Sequence, residues 1–138
     1  YVSDFPNPTT VGQPGCIVSP HLGASTEESE DNCAVMAVKE IRDYMENGNI
    51  KNSVNYPNCD MGICQTTGRV ALLHKNEKGA IGNFTAVLAD AGVNIDNMSN
   101  KSKGDYAYTM MDVDASVSDD VAAKLGALPE VFKVRVIK

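Results

Sequence analysis

Arg69-Val70-Ala71-Leu72-Leu73-His74, running into Lys75-Asn76-Glu77-Lys78-Gly79, is the stretch around which this chain is ordered. Its first six residues alternate between two faces, the pattern of a half-buried strand. Beyond Gly79, the residues Ala80, Ile81, Phe84, Val87, Leu88 and Ala91 recur at helical spacing and present one apolar face. Gly92 is a helix stop, and Val93-Asn94-Ile95 begins a second strand. Asp105 opens a third, with Ala107, Thr109, Met111 and Val113 on one side. Ser118-Asp119-Asp120 has the chemistry to cap a second helix through Val121, Leu125 and Leu128. A last strand, Val131 to Lys138, is expected to turn Phe132, Val134 and Val136 inward and Lys133 and Arg135 outward.

Strand, helix, strand, strand, helix, strand is the βαββαβ order of a ferredoxin-like α+β fold. Two helices would cover one face of a four-stranded antiparallel sheet. The other face is expected to stay open and to carry Tyr106, Tyr108 and Met110. Large side chains on an open sheet predict a covering surface, most simply a second copy of the chain, with a ligand platform as the alternative.

Upstream of this module the chain reads differently. Residues 1–24 hold two short apolar strands between Pro- and Gly-rich turns, too few to make a parallel sheet alone. Ser25 to Asn47 predicts one long helix. Ser25-x-x-Glu28 has the form of a capping box, the acidic residues after it suit the positive helix end, and Asn47-Gly48 closes it. Ala34, Val38, Ile41 and Met45 form an apolar stripe that needs a surface to pack on. Residues 49–68 read as a connector, with Val54-Asn55-Tyr56-Pro57 as a candidate edge strand. The domain limits that follow are 1–58, a linker over 59–67, and 68–138.

At 138 residues, with 43% hydrophobic and 22% charged content, the chain suits one modest globular domain with an appendage. A net charge of −6 without a basic cluster argues against a nucleic-acid partner. No apolar run reaches the ~20 residues that span a bilayer. The chain starts without an initiator Met, so a fragment of a longer protein is expected. Cys16, Cys33, Cys59 and Cys64 do not assemble four metal ligands at a recognised spacing, and free thiols are expected.

Val70-Ala71-Leu72-Leu73-His74-Lys75-Asn76-Glu77-Lys78-Gly79, followed by Gly92-Val93-Asn94-Ile95, resembles an ACT domain, a small regulatory module that binds amino acids. The His-x-Asn spacing before a glycine-opened helix resembles the ACT domain that closes the phosphoglycerate dehydrogenases. Ser19-Pro20-His21-Leu22-Gly23-Ala24-Ser25-Thr26, with the acidic helix start after it, is similar to the end of the catalytic region in the D-2-hydroxyacid dehydrogenase family. This resemblance implies a cytoplasmic, NAD-dependent parent enzyme in which His21 is the general acid/base of hydride transfer. The glutamate and arginine that complete such a site are expected upstream of Tyr1, so the chain alone is expected to be inactive and to bind no cofactor. Gly12-x-x-Gly15 and Gly79-x-x-Gly82 lack the G-x-G-x-x-G setting of a dinucleotide site.

The effector candidates are His74, Asn76, Gly79 and Asn94. An amino acid needs donors for its carboxylate and acceptors for its ammonium, and an Asn amide offers both. Backbone N–H groups at a helix N-terminus favour a carboxylate, and Gly79 permits its close approach. Turn-forming asparagines and a polar strand end would explain the same residues without a ligand. The resemblance implies L-serine, or another small amino acid, as ligand and a homo-oligomer as the assembly. Serine-sensing members of the family it resembles usually carry Pro before the helix glycine, where this chain has Lys78. Asp112, Asp114, Asp119 and Asp120 are read as a strand end and a helix start, with no metal or catalytic role.

Overall fold

The computed structural model describes all residues, Tyr1 to Lys138, as two compact units, Tyr1–Lys39 and Glu40–Lys138, divided within one long helix. In the first unit, β1 (Val2–Ser3) and β2 (Ile17–Val18) make a two-stranded parallel pair. The helix α1 (Glu27–Asn47) starts here. Its cap is Thr26, whose hydroxyl accepts from Ser29 N at 3.2 Å. Ser25, the expected cap, comes one residue too early, and its N–H turns back to Leu22 O. No residue of α1 is buried, and Val38, Ile41 and Met45 of the stripe stand exposed.

The second unit carries β3 (Gly68–Lys75), α2 (Ala80–Asp90), β4 (Ile95–Lys103), β5 (Tyr106–Val113), α3 (Asp119–Gly126) and β6 (Val131–Val136), in the expected βαββαβ order. The sheet runs β4-β5-β3-β6 with every neighbouring pair antiparallel. Local chemistry sets the helix limits. Gly79, at φ +88°, turns the chain into α2 through the left-handed region that glycine tolerates. Gly92, at φ +69°, ends it. The Ser118 hydroxyl accepts from Val121 N and caps α3. Ala80, Phe84 and Leu88 of α2, spaced by four, and Val121 and Leu125 of α3 then pack on Val70, Leu72, Met111 and Val113 of the sheet. Full burial of a side chain such as Phe84 or Leu88 contributes about 1.5–3 kcal/mol.

The opposite face departs from expectation: it is not open. Ala71, Tyr108 and Met110 are fully buried there under Ile50 and Cys59 of the connector, with Tyr44, Tyr56, Met61 and Ile137 around them. Tyr108 and Met110 therefore cannot be the contact with a second copy; only Tyr106 of the three stays half-exposed. Residues 49–64 are a folded cover rather than a free tether, held by an isolated bridge between Ile50 and Cys59. The expected edge strand at Val54 does not form, and Val54 is exposed.

A second correction concerns β6. Leu73 pairs with Lys133 but His74 pairs with Val131, so Phe132 is the extra residue of a bulge. The bulge turns its ring outward to Tyr106, with centroids 5.9 Å apart. Val134 faces the helices, whereas Val136 is half-exposed at the sheet edge. Arg135, expected in solvent, instead lies 4.0 Å over the Tyr44 ring and donates to Tyr44 O and Met45 O.

Candidate functional site

β3 delivers His74 to the end of the sheet with its side chain 2% exposed. The ring packs edge-on against Phe84, Nδ1 donates to Lys75 O at 2.7 Å, and Nε2 meets Thr109 Oγ1 at 2.8 Å. Thr109 Oγ1 continues to the Asn100 side chain at 2.7 Å. His74 thus anchors the start of the loop from inside the core, with both ring nitrogens engaged. Asn76 follows it into the exposed loop. There its N–H donates to Asp105 O and its Nδ2 to Gly104 O, which ties the loop to the β4–β5 turn. Lys78 is exposed, and Gly79 opens α2 with no side-chain cap. A Cβ on Gly79 would meet nothing within 4 Å, so the residue leaves the helix N-terminus open to approach.

Asn94 is elsewhere. It precedes β4, where its N–H donates to Asp114 Oδ1 and its Nδ2 to Asp96 Oδ1. The nine residues of β4 separate it from Gly104, which at ~3.3 Å per residue is about 30 Å. One chain therefore brings His74, Asn76 and Gly79 together and leaves Asn94 at the far end of the edge strand.

Two features, one at each end of β3, escaped sequence reading. Glu130 is buried, accepts from Asn83 Nδ2 at 2.8 Å, and offers its backbone O to Lys75 N, so it braces α2 against the loop. Arg69, fully buried, bridges Asp112 through Nε and Nη2 and donates to Asn47 O, Gly62 O and Met61 O. A charged residue opening an apolar strand was the only available signal. The four aspartates disperse: Asp112 pairs with Arg69, Asp114 accepts from Asn94 N, Asp119 opens α3, and Asp120 pairs with Lys124.

In the first unit, His21 sits at φ +60° with its ring 4.6 Å from that of Phe5. Asp4 holds the loop: its carboxylate accepts from the Ser19 hydroxyl, from Leu22 N at 2.8 Å and from Gly23 N. The Ser19 hydroxyl and then the Gly23 N–H hold the Asp4 carboxyl below its usual range. A Cβ on Gly23 would lie 2.7 Å from Asp4 Oδ2, which explains glycine there.

A family model described as the ACT domain matches residues 69–130. Among curated proteins, the chain is 27% identical over 124 residues to D-3-phosphoglycerate dehydrogenase of Dictyostelium discoideum, covering 90% of this chain and 30% of that one. It is 28% identical over 134 residues to D-3-phosphoglycerate dehydrogenase 2 of Saccharomyces cerevisiae, covering 92% of this chain and 28% of that one. The chain thus spans less than a third of the length of these relatives. Among solved structures, the ACT domain from GTP pyrophosphokinase of Chlorobium tepidum superposes with a TM-score of 0.45 at 16% identity, covering 51% of this chain and 96% of that one. No helix here is long and apolar enough to cross a membrane. The βαββαβ unit and the family match together identify the segment from Arg69 to Glu130 as an ACT domain, set in a chain similar over most of its length to D-3-phosphoglycerate dehydrogenases.

Proposed function

We propose that this chain is the C-terminal regulatory part of a cytoplasmic D-3-phosphoglycerate dehydrogenase, whose ACT domain pairs with a second copy and binds L-serine as a feedback inhibitor. The parent would oxidise 3-phospho-D-glycerate to 3-phosphohydroxypyruvate with NAD, the first step toward L-serine. Similarity to such enzymes over about nine tenths of the chain is the observation that carries this reading. Residues 1–58 would be the end of the catalytic region, with His21 as general acid/base, and residues 68–138 the regulatory domain. NAD is assigned to the parent, and no residue of this chain to its binding.

The effector site is proposed to be shared between two chains. β4 is a sheet edge with one side unpaired. Antiparallel pairing of two β4 edges about a two-fold axis sets the start of each strand beside the end of the other. Asn94 of one copy would then approach Asn76 and Gly79 of the next, because Asn76 is tied to Gly104 just beyond β4. The two asparagines and the α2 N-terminus supply donors for a carboxylate, and the amide oxygens supply acceptors for an ammonium. His74 would position the loop rather than touch the ligand. Serine then favours one mutual arrangement of the pair, to the extent that it binds that arrangement more tightly. The arginine contacts to the last turn of α1 give the sheet a firm hold on that helix.

A second reading, an ACT domain that only joins subunits, is favoured by one observation: the His74 and Asn76 side chains already bond within the chain. A stand-alone amino-acid sensor is disfavoured by Pro20-His21-Leu22-Gly23. Calorimetric titration with L-serine, against L-alanine and glycine, separates these readings. Serine-selective heat that disappears in Asn76→Ala or Asn94→Ala supports the effector site. A folded dimer that gives no heat supports the joining role.

A further inference from the structure

His74 begins a hydrogen-bonded relay that ends on the free edge of the sheet. Nδ1 lies 2.7 Å from the Lys75 carbonyl oxygen, Nε2 lies 2.8 Å from Thr109 Oγ1, and Thr109 Oγ1 lies 2.7 Å from Asn100 Oδ1. Register explains the alignment. β5 pairs Ala107 with His74 and so places Thr109 diagonally across from the ring, and β4 sets Asn100 directly opposite Thr109. The ring and the hydroxyl are buried, Asn100 is partly exposed, and β4 has no neighbour on its outer side.

The protons along this relay admit two complete arrangements. A carbonyl oxygen only accepts, so Nδ1 carries a proton in both. In the structure the Thr109 hydroxyl donates its single proton to Asn100 Oδ1. Nε2 must then donate to Oγ1, and the ring is an imidazolium. When Nε2 releases its proton to water, its lone pair faces the hydroxyl, and the hydroxyl turns to donate to it. Oγ1 then has only lone pairs to offer Asn100. The amide answers by rotating until Nδ2 points inward and donates to Oγ1. Any mixture of the two sets a pair of donors or a pair of lone pairs face to face in the core, where such a mismatch is costly.

The charged groups nearby are engaged elsewhere or face water. α2 meets the ring through Phe84, and its one charged residue, Asp90, is its last. On β5 the one charge is Asp112, held by Arg69. Lys133 and Arg135 of β6 pair with Leu73 and Ala71, which belong to the other face. Glu130, just before β6, is buried and accepts from Asn83 of α2. Lys75, Glu77, Lys78, Lys101, Lys103 and Asp105 are all exposed. Histidine is the side chain that ordinarily changes charge between about pH 5 and pH 8.

We infer that His74 is a proton-operated switch that sets which end of the Asn100 amide the β4 edge presents. With the ring protonated, Nδ2 turns outward as a donor. With the ring neutral, Oδ1 turns outward as an acceptor. A strand that pairs with this edge therefore meets opposite hydrogen-bonding chemistry on the two sides of the transition. The switch needs neither serine nor a second copy, so it stands or falls apart from the proposed effector site.

The test is a nitrogen-15 NMR titration of the 138-residue chain between about pH 5 and pH 8, following the His74 ring nitrogens and the Asn100 side-chain amide. As pH falls, Nε2 should gain a proton while Nδ1 keeps its own, and the Asn100 amide should shift with the same midpoint. In Thr109→Val, which removes the hydroxyl, the Asn100 shift should be lost. In Thr109→Ser, which keeps it, the shift should remain. A ring that holds one protonation state throughout would overturn the inference, as would a ring that titrates while the Asn100 amide stays still. These two outcomes are read on the wild-type chain and do not depend on how either variant folds. An Asn100 shift as large in folded Thr109→Val as in the wild type would overturn it as well.

Discussion

Arg69 has five N–H donors, and all five find acceptors inside the protein: two on the Asp112 carboxylate and three on backbone carbonyls of Asn47, Gly62 and Met61. A buried guanidinium is stable only when it is fully answered in this way. Arg69→Met should therefore cost about 3–5 kcal/mol, because it strands the Asp112 charge. Urea denaturation checks this, and replacing Asp112 by Leu in the same chain should recover part of the loss. A cost under about 1 kcal/mol would refute the clasp. Tyr108 makes a second prediction. Burial raises its phenol pKa, and its hydroxyl donates to Gly48 O at 2.8 Å. An acid raised in the folded state gives stability that is complete below its unfolded value of 10.0 and is lost as pH climbs through the folded value. Stability should thus fall above about pH 10, whereas Tyr108→Phe should cost about 1–2 kcal/mol at neutral pH and lessen the alkaline loss. Thermal unfolding between pH 7 and 11 reads both effects.

At the scale of the element, two glycines separate strain from space. Gly79 and Gly48 both have φ near +80°, at +88° and +79°. A Cβ on Gly79 meets nothing, so Gly79→Ala should cost only the left-handed conformation, about 1–2 kcal/mol. A Cβ on Gly48 would lie 3.1 Å from Met110 Sδ and closer still to Ile137, so Gly48→Ala should cost more, about 2–4 kcal/mol. Faster amide exchange in the last turn of α1 should accompany it. Equal costs would contradict the tight docking of that turn on the sheet. These elements were largely legible in the sequence, because periods of two and four, Ser118 as a cap, and Gly48, Gly79 and Gly92 as punctuation are local signals. The bulge at Phe132 was not. It depends on how β6 aligns with β3, and alternation along β6 alone places the ring on the wrong face.

At the scale of the molecule, the pattern of β5 promised a second layer over Tyr108 and Met110 without saying whose atoms would form it. The chain supplies them itself, through Ile50, Cys59 and the residues around them. A connector with no period gave no sign of this, because its partners lie far off in sequence. The candidate site was half legible. His74, Asn76 and Gly79 fall together, but only pairing in three dimensions reveals that Asn94 lies a strand's length away. Since the covered face cannot serve as the contact, association is predicted to run through β4. Lys101→Glu, which reverses a charge, with Ser102→Glu, which adds one, should move the sedimentation equilibrium toward monomer. The measurement that tests the account most directly is serine titration of an equimolar mixture of Asn76→Ala and Asn94→Ala chains. Each variant alone should fail to bind. Random re-pairing of the mixture should restore about a quarter of the wild-type capacity, because half the dimers then hold one intact site. A mixture as inert as its parts, from chains shown to exchange, would contradict a site shared between two copies.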